Sequence, residues 1–248
     1  MNIPFHRPII PNDVSNTLKS SLTSGWLTTG PQVSSFEEKL GEFLEVDNVI
    51  AVNSCTAALH LGILGANLRQ GDHFIVPTHT FVASVEVGEY INAKPIFVDS
   101  TTETSNMDLN QVEDILKKDR NNRIKLVLPV HFAGKANEMN RLYEIASKYG
   151  VFIMEDAAHA LEARSDLGKV GKSEHAVAFS FYANKNITTA GEGGAITTNN
   201  QNLAEKIRKL SLHGMNKDGW NRFKTGSKWQ YDVSELGYKY NLTDMAAV

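Results

Sequence analysis

The sequence has 248 residues, of which 42% are hydrophobic and 21% are charged, a composition typical of a globular chain with one large or two small domains. Its 25 basic and 28 acidic residues are spread along the chain and give a formal net charge of -3, which argues against nucleic acid and membrane surfaces as partners. The single cysteine, Cys55, excludes an internal disulfide framework and a cysteine-rich metal site, and the lack of a signal-like N-terminus or a membrane-length apolar run predicts a cytoplasmic protein.

The N-terminal region predicts two helices separated by a turn. The first helix is predicted from Asn12 to Leu22, and the turn-forming segment 24–31 follows it. The second helix is predicted over residues 33–44, because its apolar side chains recur at helical spacing: Val33, Phe36, Leu40 and Phe43.

After the second helix, short apolar segments of strand length alternate with helical segments. The predicted strands are residues 49–52, 74–76, 95–98, 125–130, 151–154, 176–181 and 195–198. The predicted helices between them are residues 55–65, 84–90, 110–117, 139–148 and 203–212. Strands rich in Val, Ile and Phe without polar alternation are buried on both faces, so this order predicts an α/β fold with a mostly parallel, seven-stranded sheet sandwiched by helices. The last two strands leave no room for a helix between them, which allows one of them to run antiparallel.

The C-terminal part of the sequence does not continue the alternation of apolar strands and helices. Residues 213–232 are polar and show little periodicity, which predicts a long exposed loop of a kind that is usually functional or interface-forming. Thr243 and Asp244 then resemble the start of a helix. We therefore divide the chain into an N-terminal arm (1–30), a main domain (31–212) and a C-terminal connecting segment (213–248).

Candidate binding groups follow four of the predicted strands, at the sheet edge where open parallel sheets place their ligands. Cys55 and Thr56 begin a helix after the first strand, where backbone N–H groups and small hydroxyls can bind an anion. Taken alone, this stretch is better explained as a plain helix cap. Phe81 follows the second strand and can lie against a planar ring, although taken alone it is better explained as a core side chain.

Two further groups have the chemistry of one particular cofactor. Asp156 follows a strand and can hold a pyridinium nitrogen protonated, while His159 can meet a phenolic oxygen. These two residues could also bind a metal, but the sequence offers no third ligand at convincing spacing. Ser180 and Lys185 precede a glycine-rich run, an arrangement that suits an imine-forming amine beside a phosphate; an isolated lysine of this kind is usually just solvated. Together the four groups specify pyridoxal 5′-phosphate.

Seven stretches of the sequence resemble the DegT/DnrJ/EryC1/StrS family of sugar aminotransferases, which are fold-type-I pyridoxal-phosphate enzymes. They follow one another in family order and are residues 25–31, 52–59, 77–84, 129–131, 155–160, 179–186 and 237–244. Each stretch is weak alone, and the set is highly specific. The resemblance implies a fold-type-I large domain for residues 31–212.

The resemblance also implies roles for individual residues. Lys185 is implied to form the imine with the cofactor and to move a proton between carbon centres. Asp156 would hold the pyridine nitrogen, His159 would contact the ring hydroxyl, and Phe81 occupies the stacking position. The implied phosphate contacts are Cys55 through its backbone, Thr56, Ser180 and, from the partner subunit of a homodimer, Asn241.

The reaction implied by the resemblance is transfer of an amino group, with glutamate as the expected donor, to a nucleotide-linked keto-sugar. A pyridoxal-phosphate-dependent sugar dehydratase and a non-catalytic binding or regulatory protein remain alternatives. Family members continue through a smaller C-terminal domain that this sequence does not contain. We therefore expect the large domain to fold and dimerise, with closure over the substrate impaired.

Overall fold

A computed structural model describes residues 3–4, 6–215 and 232–248 of the chain. The predicted loop at residues 213–232 therefore lies for the most part outside the described residues. The helices are α1 (Val14–Ser24), α2 (Pro31–Leu44), α3 (Cys55–Gly65), α4 (Ala83–Glu89), α5 (Leu109–Lys118), α6 (Met139–Tyr149), α7 (Gln201–Leu210) and α8 (Asp244–Ala247). No helix in these ranges is both long enough and apolar enough to span a membrane.

Seven strands form the main sheet, as predicted, in the order β1-β9-β8-β5-β4-β2-β3. Their bounds are β1 (Asn48–Val52), β2 (His73–Pro77), β3 (Lys94–Val98), β4 (Ile124–Val127), β5 (Phe152–Asp156), β8 (Ala176–Ser180) and β9 (Gly194–Thr198). Strand β9 is antiparallel to both of its neighbours, while β8, β5, β4, β2 and β3 are parallel. The expectation of one antiparallel strand among the last two is therefore confirmed, and the other six strands end at the same edge.

Helices cover both faces of the sheet because successive strand residues point to opposite sides. On β5, Met154 packs in the cluster that includes α3 and α7, whereas its neighbour Ile153 packs in the cluster that includes α5 and α6. All three central side chains of β8 are also buried: Val177, Ala178 and Phe179. Burial on both faces explains why these strands read as continuous apolar runs in the sequence.

The structure shifts several predicted boundaries and adds one hairpin. Helix α1 begins and ends two residues later than predicted, and β4 ends at Val127 although its apolar run continues to Val130. The pairing becomes irregular there, where Pro129 has no N–H to donate and the chain makes only an isolated bridge from Val130 to Asp156. The unpredicted hairpin consists of two short strands, β6 (Arg164–Ser165) and β7 (Gly168–Lys169).

The C-terminal segment packs back onto the start of the chain through Asp244. This side chain is 1% exposed, and its carboxylate accepts hydrogen bonds from the backbone N–H groups of Gly30, Gln32 and Val33 at 2.7, 3.1 and 3.0 Å. Gly30 precedes α2 and has no side chain with which to cap it. Asp244 therefore caps the N-terminus of α2 from more than two hundred residues away, where a negative charge is favoured by the helix dipole.

Candidate active site

The residues that follow β1 and β8 lie side by side, because both strands pair with β9. Gly194, the first residue of β9, pairs with Val52 on one side and with Ser180 on the other. A Cβ atom at position 194 would lie only 2.4 Å from the carbonyl carbon of Ser54 and 2.6 Å from the nitrogen of Cys55. Glycine at this position therefore allows β9 to approach the backbone at the start of α3.

The N-terminus of α3 is capped by a side chain and also has backbone N–H groups that can bind a ligand. The Ser54 hydroxyl accepts a hydrogen bond from the N–H of Ala57 at 3.1 Å, so the helix cap considered in the sequence is present. Cys55 and Thr56 are the first two residues of the helix, whose N–H groups have no acceptor within it. Together with Ser180 across Gly194, these residues present small polar groups and a helix N-terminus suited to an anion.

Asp156 is the last residue of β5 and is 5% exposed. Its Oδ2 accepts a hydrogen bond from the Ser84 hydroxyl at 2.7 Å, and its Oδ1 accepts one from the N–H of Ala158 at 3.1 Å. The two donors hold the two oxygens of this buried carboxylate in place. The arrangement leaves lone pairs on the carboxylate for a further donor, such as a protonated ring nitrogen.

Electrostatic interactions place Lys185 in the same neighbourhood as Asp156. Burial lowers the pKa of the His159 imidazole, and the Lys185 ammonium lowers it further while Asp156 opposes the shift. Burial raises the pKa of the Cys55 thiol well above its usual value, Asp156 adds to this effect, and Lys185 counteracts it. The charges of Lys185 and Asp156 thus both act on His159 and on Cys55.

Phe81 lies at the surface, with 75% of its side chain exposed. The alternative interpretation of this residue as a core phenylalanine is therefore wrong. Its carbonyl accepts a hydrogen bond from the N–H of Ser84 at 3.2 Å, so Phe81 belongs to the turn that carries the partner of Asp156. An exposed aromatic ring beside a strand end can stack on a planar ligand.

Asn241 lies next to the end of β1, where it forms an isolated bridge with Val52. Its side-chain nitrogen donates a hydrogen bond to the Thr29 hydroxyl of the same chain at 2.7 Å. The indole N–H of Trp26 in turn donates to the carbonyl of Thr29 at 2.9 Å. The turn at residues 25–31 is thus held against the C-terminal segment, while the contact of Asn241 with a partner subunit stays a prediction.

Behind Asp156 lies a buried polar network that the sequence analysis did not find. The His131 Nε2 lies 2.9 Å from Glu155 Oε2, and both side chains are at most 3% exposed. His131 Nδ1 accepts a hydrogen bond from the N–H of Asn137, so its Nε2 carries the proton and donates to Glu155. The Tyr143 hydroxyl donates to the other oxygen of Glu155; burial, followed by the charge of Glu155, raises the pKa of this phenol.

This network holds the end of β5 in place. The N–H of His131 donates to the carbonyl of Asp156 at 3.0 Å, and the N–H of Asp156 donates to the carbonyl of Pro129 at 2.9 Å. The backbone of Asp156 is therefore hydrogen-bonded to Pro129 and His131, which follow β4. The side chain of His131 is in turn hydrogen-bonded to Glu155. Within the described ranges, no three His, Cys, Asp or Glu side chains are grouped so as to hold a metal ion.

Comparison with known proteins identifies one family. The model of the DegT/DnrJ/EryC1/StrS aminotransferase family matches residues 8–248. The spore coat polysaccharide biosynthesis protein SpsC of Bacillus subtilis is 39% identical over 245 residues, which are 99% of this chain and 62% of that protein. The UDP-4-amino-4-deoxy-L-arabinose–oxoglutarate aminotransferase of Shewanella sediminis is 36% identical over 246 residues, with the same two coverages.

Solved structures share the fold. The PMP-form of the putative sugar aminotransferase Spr1654 from Streptococcus pneumoniae superposes with a TM-score of 0.89 at 32% identity, covering 99% of this chain and 65% of that one. A PLP-form of the same protein superposes with a TM-score of 0.86. The chain spans about three fifths of the length of the curated relatives that it matches.

Proposed function

Because the chain belongs to the DegT/DnrJ/EryC1/StrS aminotransferase family, we propose that it binds pyridoxal 5′-phosphate at the carboxyl edge of its sheet and transfers an amino group to a nucleotide-linked keto-sugar. The observation that carries the proposal is the buried carboxylate of Asp156, which two donors hold at the end of β5, while its charge and that of Lys185 both act on His159 and Cys55. Pyridoxal phosphate requires a carboxylate that can accept a hydrogen bond from its protonated ring nitrogen, together with an amine that can bond to its aldehyde.

The residues of the site divide the work among them. When bound, pyridoxal phosphate supplies an aldehyde and an electron-withdrawing ring. Lys185 provides the amine that bonds to the aldehyde and, once released, can carry a proton. Asp156 keeps the ring nitrogen protonated, and Phe81 lies against the ring.

The remaining groups anchor and orient the cofactor. The backbone at Cys55 and the hydroxyls of Thr56 and Ser180 bind the phosphate. His159 meets the ring hydroxyl, and in a homodimer Asn241 reaches the phosphate of the partner subunit. Lys185 also separates this function from that of a deoxygenating sugar dehydratase, in which a histidine takes the place of the lysine.

The names of the relatives support the substrate class. One relative is named as an oxoglutarate aminotransferase of a UDP-linked amino sugar, and another as a polysaccharide biosynthesis protein. An aminotransferase that releases 2-oxoglutarate takes its amino group from glutamate. We therefore propose glutamate as the donor and a place in surface-polysaccharide or deoxyamino-sugar biosynthesis in the cytoplasm. The resemblance of residues 237–244 to family members that act on 4-keto hexoses further favours a nucleotide-linked 4-keto hexose as the acceptor.

The proposed function predicts a half-reaction without any sugar. Incubation of the protein with pyridoxal phosphate and isotopically labelled glutamate should yield pyridoxamine phosphate and labelled 2-oxoglutarate in equal amounts, because the amino group moves onto the cofactor. Mass spectrometry of both products measures the result. Tight cofactor binding with no such conversion would instead favour the non-catalytic binding role.

A panel of nucleotide-linked keto-sugars then tests the acceptor. The protein, charged with glutamate, should convert 4-keto hexoses to products heavier in mass by the change from C=O to CH–NH₂. Loss of the sugar hydroxyl without incorporation of nitrogen would indicate the dehydratase. Preference for a 3-keto sugar or a small free aldehyde would overturn the proposed specificity.

A further inference from the structure

The stretch 77–84 contains a second functional feature besides Phe81. Ser84 is fully buried, with 0% of its surface exposed, and its hydroxyl lies 2.7 Å from Asp156 Oδ2 and 2.7 Å from the Thr80 hydroxyl. These contacts bring the first turn of α4, which contains Ser84, against the end of β5, across 72 positions of sequence. The buried hydroxyl of Ser84 therefore has two hydrogen-bond partners, and its role extends beyond packing.

The direction of these hydrogen bonds follows from their chemistry. An ionised carboxylate can only accept hydrogen bonds, so the Ser84 hydroxyl is the donor of its hydrogen bond with Asp156. The oxygen of Ser84 can then only accept from Thr80, whose hydroxyl is the donor of the second bond. The result is a directed chain from Thr80 through Ser84 to Asp156.

The hydrogen bonds from Thr80 through Ser84 hold Oδ2 of the Asp156 carboxylate, while the Ala158 N–H holds Oδ1. Without Ser84, Oδ2 would be the less constrained oxygen, and the carboxylate plane could rotate about its last side-chain bond. The same turn joins Ser84 to Phe81 through the backbone bond from the Ser84 N–H to the Phe81 carbonyl. The turn thus connects the aromatic ring at the surface with the orientation of the buried carboxylate.

We propose that Ser84, supported by Thr80, is a positioning residue that orients the Asp156 carboxylate toward the ring nitrogen of the cofactor. This inference rests on the proposed function of the site. Ser84 does not touch the cofactor in this account and acts only through Asp156. Its contribution should therefore appear in cofactor affinity and should depend on the presence of Asp156.

The test is a double-mutant cycle on cofactor binding by the apo-protein, titrated with pyridoxal phosphate and followed by absorbance. Ser84→Ala should weaken binding about tenfold, because a hydrogen bond to a charged group is lost. Thr80→Val should weaken binding less, by about two- to threefold, since the Ser84–Asp156 bond survives. In an Asp156→Ala background, Ser84→Ala should cause no further loss.

A matched control is Ser21→Ala in α1. Ser21 is also buried, at 4% exposure, but its hydroxyl donates to the Thr17 carbonyl of its own helix. This variant should leave the affinity for pyridoxal phosphate unchanged. Urea unfolding of each apo-protein separates loss of stability from loss of binding, and Thr80→Val provides a test should Ser84→Ala fail to fold.

The outcomes distinguish failure of this inference from failure of the proposed function. Unchanged affinity in Ser84→Ala, or an equal loss with and without Asp156, would overturn the positioning role while leaving the cofactor site intact. Absence of pyridoxal phosphate binding by the unmodified protein would reject the proposed function together with the inference. A tenfold loss of affinity in Ser84→Ala that disappears in the Asp156→Ala background supports both the positioning role and the proposed function.

Discussion

Replacing Lys185 by alanine is expected to abolish covalent attachment of pyridoxal phosphate and to lower the rate of amino transfer from glutamate at least about a thousandfold. The alanine variant lacks both the amine that bonds to the aldehyde and the group that carries the proton. Asp156 and the phosphate-binding residues remain, so the cofactor should still bind noncovalently. The visible absorbance band and the yield of labelled 2-oxoglutarate measure the two effects.

A lysine on the surface provides the control for this experiment. Lys148 is exposed in the last turn of α6, just before β5 begins, and pairs with Glu113. Lys148→Ala should retain the absorbance band and the amino transfer. An unaltered band in Lys185→Ala would show that another amine bonds the cofactor and that the assignment of Lys185 is wrong.

Replacing Glu155 by alanine should have the largest effect on stability. The change leaves the Nε2–H of His131 and the hydroxyl of Tyr143 without their buried acceptor. A buried neutral donor left without an acceptor costs about 1–3 kcal/mol, and the Tyr143 hydroxyl keeps its contact with Ser173. Urea denaturation of the apo-protein should therefore show a free energy of unfolding lower by this amount.

Two variants make the stability experiment specific. Glu155→Gln keeps one oxygen acceptor at the same place and should destabilise the protein less than Glu155→Ala. Asp114→Ala removes an exposed carboxylate that pairs with Lys117 on α5, and it should change the unfolding curve little. If Glu155→Ala unfolded like Asp114→Ala, the buried network would not hold β5 as described.

Much of the fold could be predicted because local patterns determine it. Apolar runs correctly located all seven strands of the main sheet, and the central strands have no polar alternation because both of their faces are buried. The edge strand β3 was found by its apolar run although Phe97 is half exposed. The strand at 125–130 was predicted too long because residues after Val127 are buried without regular pairing. The hairpin of β6 and β7 was missed because two-residue strands carry no periodicity.

The candidate site was predictable only where its residues follow strand ends. The rule that ligands bind at the carboxyl edge of a parallel sheet predicts Asp156 and Lys185 as site residues, and the charges of both act on His159 and Cys55. It could not locate Ser84, because its role depends on a contact with a residue 72 positions away. The helix cap supplied by Asp244 crosses 211 positions to Val33 and likewise has no local signature.

The most direct test of the cofactor site is reductive trapping followed by peptide mapping. The protein is incubated with pyridoxal phosphate, reduced with borohydride to fix any lysine–cofactor bond, digested and analysed by mass spectrometry. One dominant adduct is expected, on the peptide that contains Lys185. No adduct, or adducts distributed over surface lysines with Lys185 unmodified, would contradict this expectation.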